Sequence, residues 1–181
     1  LMNHIGTHDT ARILTSIIYD SIEHKPRSIQ VNCKLTNEEY NKAKTLLKCA
    51  TVMQYTLPGF PSVYYGDEAG MQGGGDPFNR CFYPWKNEDK DLLSWYQKLG
   101  GIRTSLSCLK DGDFVPYSAM LSCVAYKRVA VNEQIFVSVN RNPHEIDYYL
   151  PDEFKYKTEL ISSSQVSDFV KISANSAVII K

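Results

Sequence analysis

The sequence predicts an α/β region over residues 1–107 followed by an antiparallel all-β region over residues 108–181. Two observations lead to this division. Strand-like and helix-like segments alternate before residue 107, whereas short strand-like runs follow one another after it. At 181 residues the chain is long enough for one large domain or two small ones, and with 43% hydrophobic and 22% charged residues it is not expected to be disordered.

The first segment predicts a strand, a loop and a short helix. Residues 1–5 form the strand, Gly6 to Asp9 form the loop, and Thr10 is expected to cap a helix that ends near Ile18. The polar stretch 20–34 then reads as an irregular connection.

A long helix is predicted next. It begins at Thr36, because a threonine followed three positions later by Glu39 forms a capping box, and it ends at Pro58-Gly59. Its apolar residues recur at helical spacing, at Tyr40, Ala43, Leu46, Leu47, Ala50, Met53 and Leu57. A short strand over Ser62–Tyr65 follows.

Residues 66–90 lack periodicity and predict a long functional loop that includes the glycines at 73 to 75. These glycines do not form a phosphate loop, because no Lys-Ser/Thr pair follows them. Helical spacing returns from Leu92 to Ile102. Beyond it, the predicted strands form an antiparallel sandwich and cover residues 120–128, 134–140, 146–150, 156–161 and 170–181.

Composition excludes several classes of function. Twenty basic and twenty acidic residues cancel and form no long run, so neither nucleic acid nor a membrane surface is an expected partner. The five cysteines show no C-x-x-C pair, which favours reduced thiols in the cytoplasm. No metal-ligand spacing or cofactor motif is present. Leu1, which no signal-like segment accompanies, is expected to mark a cut or an artificial boundary.

The first motif with chemical potential is Asn3-x-Ile5-Gly6-Thr7-His8-Asp9-Thr10-x-Arg12. The Asp9 carboxylate accepts hydrogen bonds and the His8 imidazole donates or accepts them, so the pair is suited to the vicinal hydroxyls of a sugar. The alternative is a purely structural role, with Asp9 as the N-cap residue of a helix. Arg12 is interpreted as the structural partner of a carboxylate.

A second motif is Val63-Tyr64-Tyr65-Gly66-Asp67-Glu68. Its adjacent acids Asp67 and Glu68 would point to opposite sides of an extended chain. An acid and a nucleophile must instead converge on one bond, about 5 Å apart, so we assign these two residues an architectural role. The alternative is an independent pair of functional carboxylates.

The third motif is Asp76-Pro77-Phe78-Asn79-Arg80, with Pro84-Trp85 after it. A carboxylate and a planar guanidinium suit a polyol, and Trp85 offers an apolar face to a sugar ring. The alternative is that Asp76 and Arg80 form a salt bridge that pins the loop.

Together these motifs resemble the closing portion of the catalytic domain of the α-amylase family of glycoside hydrolases, in its neopullulanase and cyclomaltodextrinase-like branch. The resemblance implies the last two strand-helix units of a (β/α)8 barrel followed by an antiparallel Greek-key β-sandwich. It also implies that Asp9 is the transition-state-stabilising carboxylate and that His8, Asp76 and Arg80 bind substrate. The nucleophile and general acid would lie upstream of Leu1.

The expected function is therefore that of a fragment of a retaining α-glucan hydrolase, inactive by itself. It would act on α-1,4 bonds, with α-1,6 bonds as a second candidate, in maltodextrins, cyclodextrins or pullulan. Two alternatives stay open, a carbohydrate-binding or interaction module and an α-glucosyl transferase or phosphorylase of the same family. Open strand edges of a partial barrel also predict self-association of the fragment.

Overall fold

The computed structural model of the protein describes residues 1–120 and 122–181. These residues fall into two compact units. The N-terminal unit comprises Met2–Gln54 and Phe60–Gln97, and the C-terminal unit comprises Leu1, Tyr55–Gly59 and Lys98–Lys181. The predicted domain boundary at residue 107 stays a prediction.

The N-terminal unit contains two short strands and several helices. In chain order its elements are β1 (Met2–His4), α1 (Ile13–Ile18), a 3-10 turn (Ile22–His24), α2 (Arg27–Gln30), α3 (Asn37–Thr56), β2 (Phe60–Ser62) and α4 (Lys90–Ser105). The last two residues of α3 and the second half of α4 belong to the C-terminal unit. Residues 63–89, all described, contain no helix or strand. The sequence predicts this loop over residues 66–90.

β1 and β2 are parallel and pair Asn3 with Pro61. One glutamine of α3 contacts both strands. The amide nitrogen of Gln54 donates to the carbonyl of Asn3 (3.1 Å) and to the carbonyl of Ser62 (2.8 Å), and the side chain of Asn3 donates back to the carbonyl of Gln54 (3.3 Å). These bonds attach α3 to the ends of both strands.

The capping box at the start of α3 is confirmed. The Glu39 amide donates to Oγ1 of Thr36 (3.3 Å), while the Glu39 carboxylate accepts from the Thr36 amide (2.8 Å). Reciprocal bonds of this kind satisfy two backbone donors that a helix start would otherwise leave open.

Three local predictions are wrong. Thr10 does not cap α1, because its hydroxyl bonds back to Thr7 instead and the N-cap position falls at Arg12 without a side-chain cap. The second strand begins at Phe60 and ends at Ser62, two to three residues earlier than expected. The polar stretch 20–34 contains the 3-10 turn and α2.

The C-terminal unit is mostly β. After α5 (Ser107–Lys110), the described residues form two sheets whose strand pairs are all antiparallel. One has the order β3-β4-β5-β10-β7-β8 and the other pairs β6 with β9. The strands are β3 (Asp113–Met120), β4 (Cys123–Ala130), β5 (Glu133–Asn140), β6 (Ile146–Tyr149), β7 (Thr158–Glu159), β8 (Ser164–Gln165), β9 (Phe169–Ile172) and β10 (Ser176–Ile180).

Side chains of both sheets meet in one apolar core. Its centre is Phe136 of β5, whose ring lies 5.5 Å from Phe154 and 5.7 Å from Tyr148. Ile172 of β9 and Ile180 of β10 belong to the same buried cluster. The Greek-key order stays a prediction.

The predicted strand over residues 120–128 corresponds to β4 from Cys123 onward, and Leu121 within that run lies outside the described residues. β3 was not predicted. It contains Pro116, which cannot donate to a strand ladder, and the pairing register shifts between Pro116 and Ser118.

Two buried arginines of the C-terminal unit hold the end of α3. Arg128 donates to the carbonyls of Thr56 (2.8 Å) and Gly112 (2.7 Å), and Arg103 donates to the carbonyl of Tyr55 (2.7 Å). The last carbonyls of a helix have no intrahelical partner and carry partial negative charge, so two guanidinium groups stabilise this terminus.

Among the described residues, none of the helices has the length and apolar character needed to cross a bilayer.

Candidate functional site

The loop after β1 presents His8 and Asp9 to solvent. Their side chains are 62% and 76% exposed, and Nε2 of His8 lies 3.3 Å from Oδ1 of Asp9. The backbone beneath them is ordered by a local turn in which the Asp9 amide donates to Oγ1 of Thr7 (3.2 Å). Asp9 does not cap a helix, since α1 begins four residues later. The carboxylate and imidazole are therefore available to a ligand.

Arg12 lies under this loop and is buried. Its Nε donates to the carbonyl of Asn79 (2.7 Å), and its Nη1 donates to the Asp67 carboxylate (3.2 Å) and to the carbonyl of Tyr65. The guanidinium carbon also sits 4.3 Å from the centre of the Tyr64 ring. The interpretation of Arg12 as a structural partner of a carboxylate is confirmed.

Asp67 is the buried partner of that pair. Burial raises the pKa of its carboxyl to about 6, although the charge and hydrogen bond of Arg12 act in the opposite direction. Gly6 provides the space, because a Cβ at position 6 would lie 2.6 Å from Oδ2 of Asp67. The neighbouring carboxylate of Glu68 turns back to accept from the Gly66 amide (2.8 Å). Each of the two carboxylates thus has a partner within the protein, which agrees with the architectural role assigned to both from the sequence.

The Asp76–Arg80 segment reaches the same loop from the other side. Nε of Arg80 lies 2.7 Å from Oδ1 of Asp76, and Nη2 of Arg80 is 3.4 Å from the carbonyl of His8. The two charged side chains are about half exposed, at 47% and 58%. The structure therefore brings together all four predicted site residues, His8, Asp9, Asp76 and Arg80, in one exposed region of the N-terminal unit.

Exposed aromatic side chains follow the Asp76–Arg80 segment. Trp85 is 75% exposed and its ring lies 4.6 Å from that of Tyr83. A cavity of about 430 Å³ opens nearby and is lined in part by Gln72, Phe78 and Cys81, but by none of the four predicted site residues. Within the described residues, no group of three or more His, Cys, Asp or Glu side chains could hold a metal ion.

Comparison with known proteins decides the family. No family model matches the chain. An amylopullulanase of Thermoanaerobacter thermohydrosulfuricus is 40% identical over 135 residues, which are 72% of this chain. A cyclomaltodextrinase of Thermoanaerobacter pseudethanolicus is 30% identical along the whole chain. The solved structure of a maltogenic amylase from S. marinus superposes on 98% of the chain with a TM-score of 0.73 and 26% identity.

The chain belongs to the α-amylase family.

The chain spans only a small part of each of these α-amylase family members. It covers 8% of the amylopullulanase, 28% of the cyclomaltodextrinase and 22% of the maltogenic amylase. The relatives named here are α-glucan hydrolases, and the resemblance found in the sequence motifs is confirmed at the level of the family.

Sequence reasoning missed two buried amides that shape this candidate site. Gln30 accepts from the Gly75 amide (2.8 Å) and donates to the carbonyls of Glu23 (3.0 Å) and Lys25 (2.7 Å). Asn79 donates to the carbonyls of His8 and Thr10. Both are polar residues inside segments that read as irregular loops, and nothing in their local pattern marks them as buried.

Proposed function

We propose that the chain forms the end of a (β/α)8 catalytic barrel, over residues 1–107, and the β-sandwich that follows it, over residues 108–181, in a retaining α-glucan hydrolase. The parallel pairing of β1 with β2, with α1 and α3 in the connection, supports the barrel assignment. The substrates would be maltodextrin-type oligosaccharides with α-1,4 bonds, and α-1,6 bonds are a second candidate, as the names amylopullulanase and cyclomaltodextrinase suggest.

In this proposal Asp9 stabilises the transition state and His8 binds the same sugar. An ionised carboxylate accepts hydrogen bonds from two sugar hydroxyls, and bonds that strengthen as the ring flattens toward an oxocarbenium ion lower the barrier. The nucleophile and the general acid would come from parts of the full-length enzyme outside these 181 residues.

Asp76 and Arg80 would bind a second glucose unit. Their ion pair presents a carboxylate and a planar donor fork side by side, and both remain about half exposed. A hydroxyl of a sugar can bridge such a pair by donating to the carboxylate and accepting from the guanidinium.

The observation that carries the proposal is the meeting of two exposed charged segments that are 72 positions apart in sequence. Arg80 reaches the carbonyl of His8, and the imidazole of His8 lies 3.3 Å from the Asp9 carboxylate. A cleft that grips a polyol needs several polar groups converging on one side, and this arrangement supplies four.

The decisive experiment replaces Asp9 by Asn in the full-length enzyme. We expect kcat on a chromogenic maltoside to fall by roughly 100-fold or more, because the neutral amide no longer stabilises positive charge on the sugar. The melting temperature should stay unchanged, since the side chain is exposed. Asp20→Asn, at another exposed aspartate, is the matched control. Wild-type kcat in the Asp9 variant would remove Asp9 from the mechanism.

Two further measurements separate the alternatives. Titration of residues 1–181 with maltoheptaose tests for an independent binding module, because an incomplete cleft should bind feebly whereas a module should bind at millimolar concentration or better. Product analysis of the full-length enzyme distinguishes hydrolysis from glucosyl transfer and phosphorolysis. Light scattering of residues 1–181 at tens of micromolar tests the proposed self-association.

A further inference from the structure

One side chain bonds to the backbone on both sides of Asp9. Nδ2 of Asn79 donates to the carbonyl of His8 (2.7 Å) and to the carbonyl of Thr10 (2.8 Å). The two hydrogens of the amide are thus used on the two residues that flank the Asp9 carboxylate. Rotating the amide by 180° would place its oxygen against two other acceptors, so the donor must face the loop.

Asn79 is itself held by the segment that it binds. Its own carbonyl accepts from Nε of Arg12 (2.7 Å), and the Arg12 amide donates to the carbonyl of Gly73 (3.0 Å). The side chain of Asn79 has no exposed surface. These four hydrogen bonds tie residues 8, 10 and 12 to the loop that contains the glycines, Asp76 and Arg80.

We propose that Asn79 is a positioning residue for Asp9. This inference rests on the proposed role of Asp9 in the transition state. Fixing the carbonyls on either side of residue 9 fixes the direction of its Cα–Cβ bond, which an exposed side chain cannot do through packing of its own. Because Arg80 follows Asn79 directly, the same turn sets the position of the Asp76–Arg80 pair relative to the Asp9 carboxylate.

The test is a double-substitution cycle in the full-length enzyme with an activated aryl maltoside as substrate. Asn79→Ser removes the two-donor amide, and we expect kcat to fall about 10-fold to 100-fold while KM changes less than about 3-fold, since a misplaced catalytic group costs rate rather than ground-state affinity. In the Asp9→Asn background the same substitution should change kcat by less than about 2-fold, because a positioning residue has no effect once its target is gone.

A matched control exists in the C-terminal unit. Asn140 of β5 is equally buried, and its Nδ2 donates to the carbonyls of His144, Ile172 and Ser173, each at 3.0 Å. Asn140→Ser should lower the melting temperature as much as Asn79→Ser or more. Below that temperature it should leave kcat within about 2-fold of wild type.

The outcomes are distinct. A fall in kcat that is equally large in the wild-type and Asp9→Asn backgrounds would show a merely structural role and overturn the inference alone, as would an unchanged kcat in Asn79→Ser. An unchanged kcat in Asp9→Asn would overturn the proposed function and the inference with it. If Asn79→Ser unfolds at the assay temperature, the near-isosteric Asn79→Asp replaces it under the same criteria, and unfolding of both variants would also overturn the positioning role.

Discussion

Nη1 of Arg12 lies 3.2 Å from Oδ1 of Asp67, and both side chains are almost completely buried. Removing a carboxylate from water is costly, and a single close guanidinium offsets only part of that cost. This buried pair forms a polar core in the N-terminal unit, close in sequence to the exposed loop that contains His8 and Asp9.

The first prediction concerns the pH dependence of stability that Asp67 causes. Its pKa is about 6 in the folded protein against an ordinary value of 3.8, so between about pH 4 and pH 6 the folded state binds more protons than the unfolded state. Stability from this group is thus greatest at low pH and is lost as the pH rises through 6. Asp67→Asn should remove this contribution, which the difference in melting temperature between wild type and variant from pH 4 to pH 7 will show. A pH-independent difference would contradict the prediction.

The second prediction has the opposite sign and concerns Glu133. A hydrogen bond from Lys181 (2.5 Å), with others from Ser107 (2.9 Å) and the Cys108 amide (3.2 Å), lowers its pKa to about 2 from an ordinary 4.5. The unfolded state therefore binds the extra proton between about pH 2 and pH 4.5, and the stability that Glu133 provides above pH 4.5 is lost as the pH falls toward 2. Glu133→Gln should be less stable than wild type at pH 7, with the difference shrinking at pH 3. Denaturant titrations at the two pH values measure both quantities.

The third prediction compares two glycines. Gly6→Ala would place a methyl group 2.6 Å from Oδ2 of Asp67, whose carboxylate is buried and paired with Arg12. We expect it to destabilise the protein by about 1–3 kcal/mol, as overpacking of a core does. Gly101→Ala is the control, because a Cβ there meets nothing within 4 Å and alanine favours the helix, so it should stabilise by about 0.5–1 kcal/mol. Equal effects of the two substitutions on the free energy of unfolding would refute the steric argument.

The fourth prediction concerns the donor fork of Arg80. Lysine keeps the charge but loses the planar group that can bond to Asp76 and a sugar hydroxyl together. Arg80→Lys should raise KM for a maltooligosaccharide about 3-fold to 10-fold and change kcat less, since ground-state binding is what is lost. Arg27→Lys, at an exposed arginine of α2, should leave both constants at wild-type values. A selective loss of kcat in the Arg80 variant would show that this arginine acts in the transition state instead.

Local signals were sufficient to predict part of this structure. The capping box of α3 depends only on Thr36 and Glu39, which are three positions apart. The long loop, which the sequence predicts over residues 66–90, follows from missing periodicity. The sequence motifs indicated the family, and the resemblance to that family predicted the four residues of the candidate site. A threonine before an apolar run predicts a helix N-cap at Thr10. In the structure the Thr10 hydroxyl instead accepts from the Thr7 amide and donates to the Thr7 carbonyl, so it does not cap α1.

The side-chain contacts that sequence reasoning missed depend mostly on partners distant in sequence. Asn79 bonds to carbonyls about 70 positions away, and Gln30 bonds to a glycine 45 positions away. The arginines that hold the end of α3 act over 48 and 72 positions. A single sequence records the donor but not the carbonyl that will face it after folding, so such contacts emerge only from the fold.

The three consecutive glycines before Asp76 are closely packed against neighbouring segments. A Cβ on Gly73 would lie 2.3 Å from the carbonyl oxygen of Phe78, one on Gly74 would lie 2.8 Å from the Gln30 side chain, and one on Gly75 would lie 2.9 Å from Glu23. The absence of side chains here therefore serves tight contact and not motion. Because the backbone before the Asp76–Arg80 pair is closely packed, a polar ligand that binds this pair would not have to order it, which lowers the entropic cost of association.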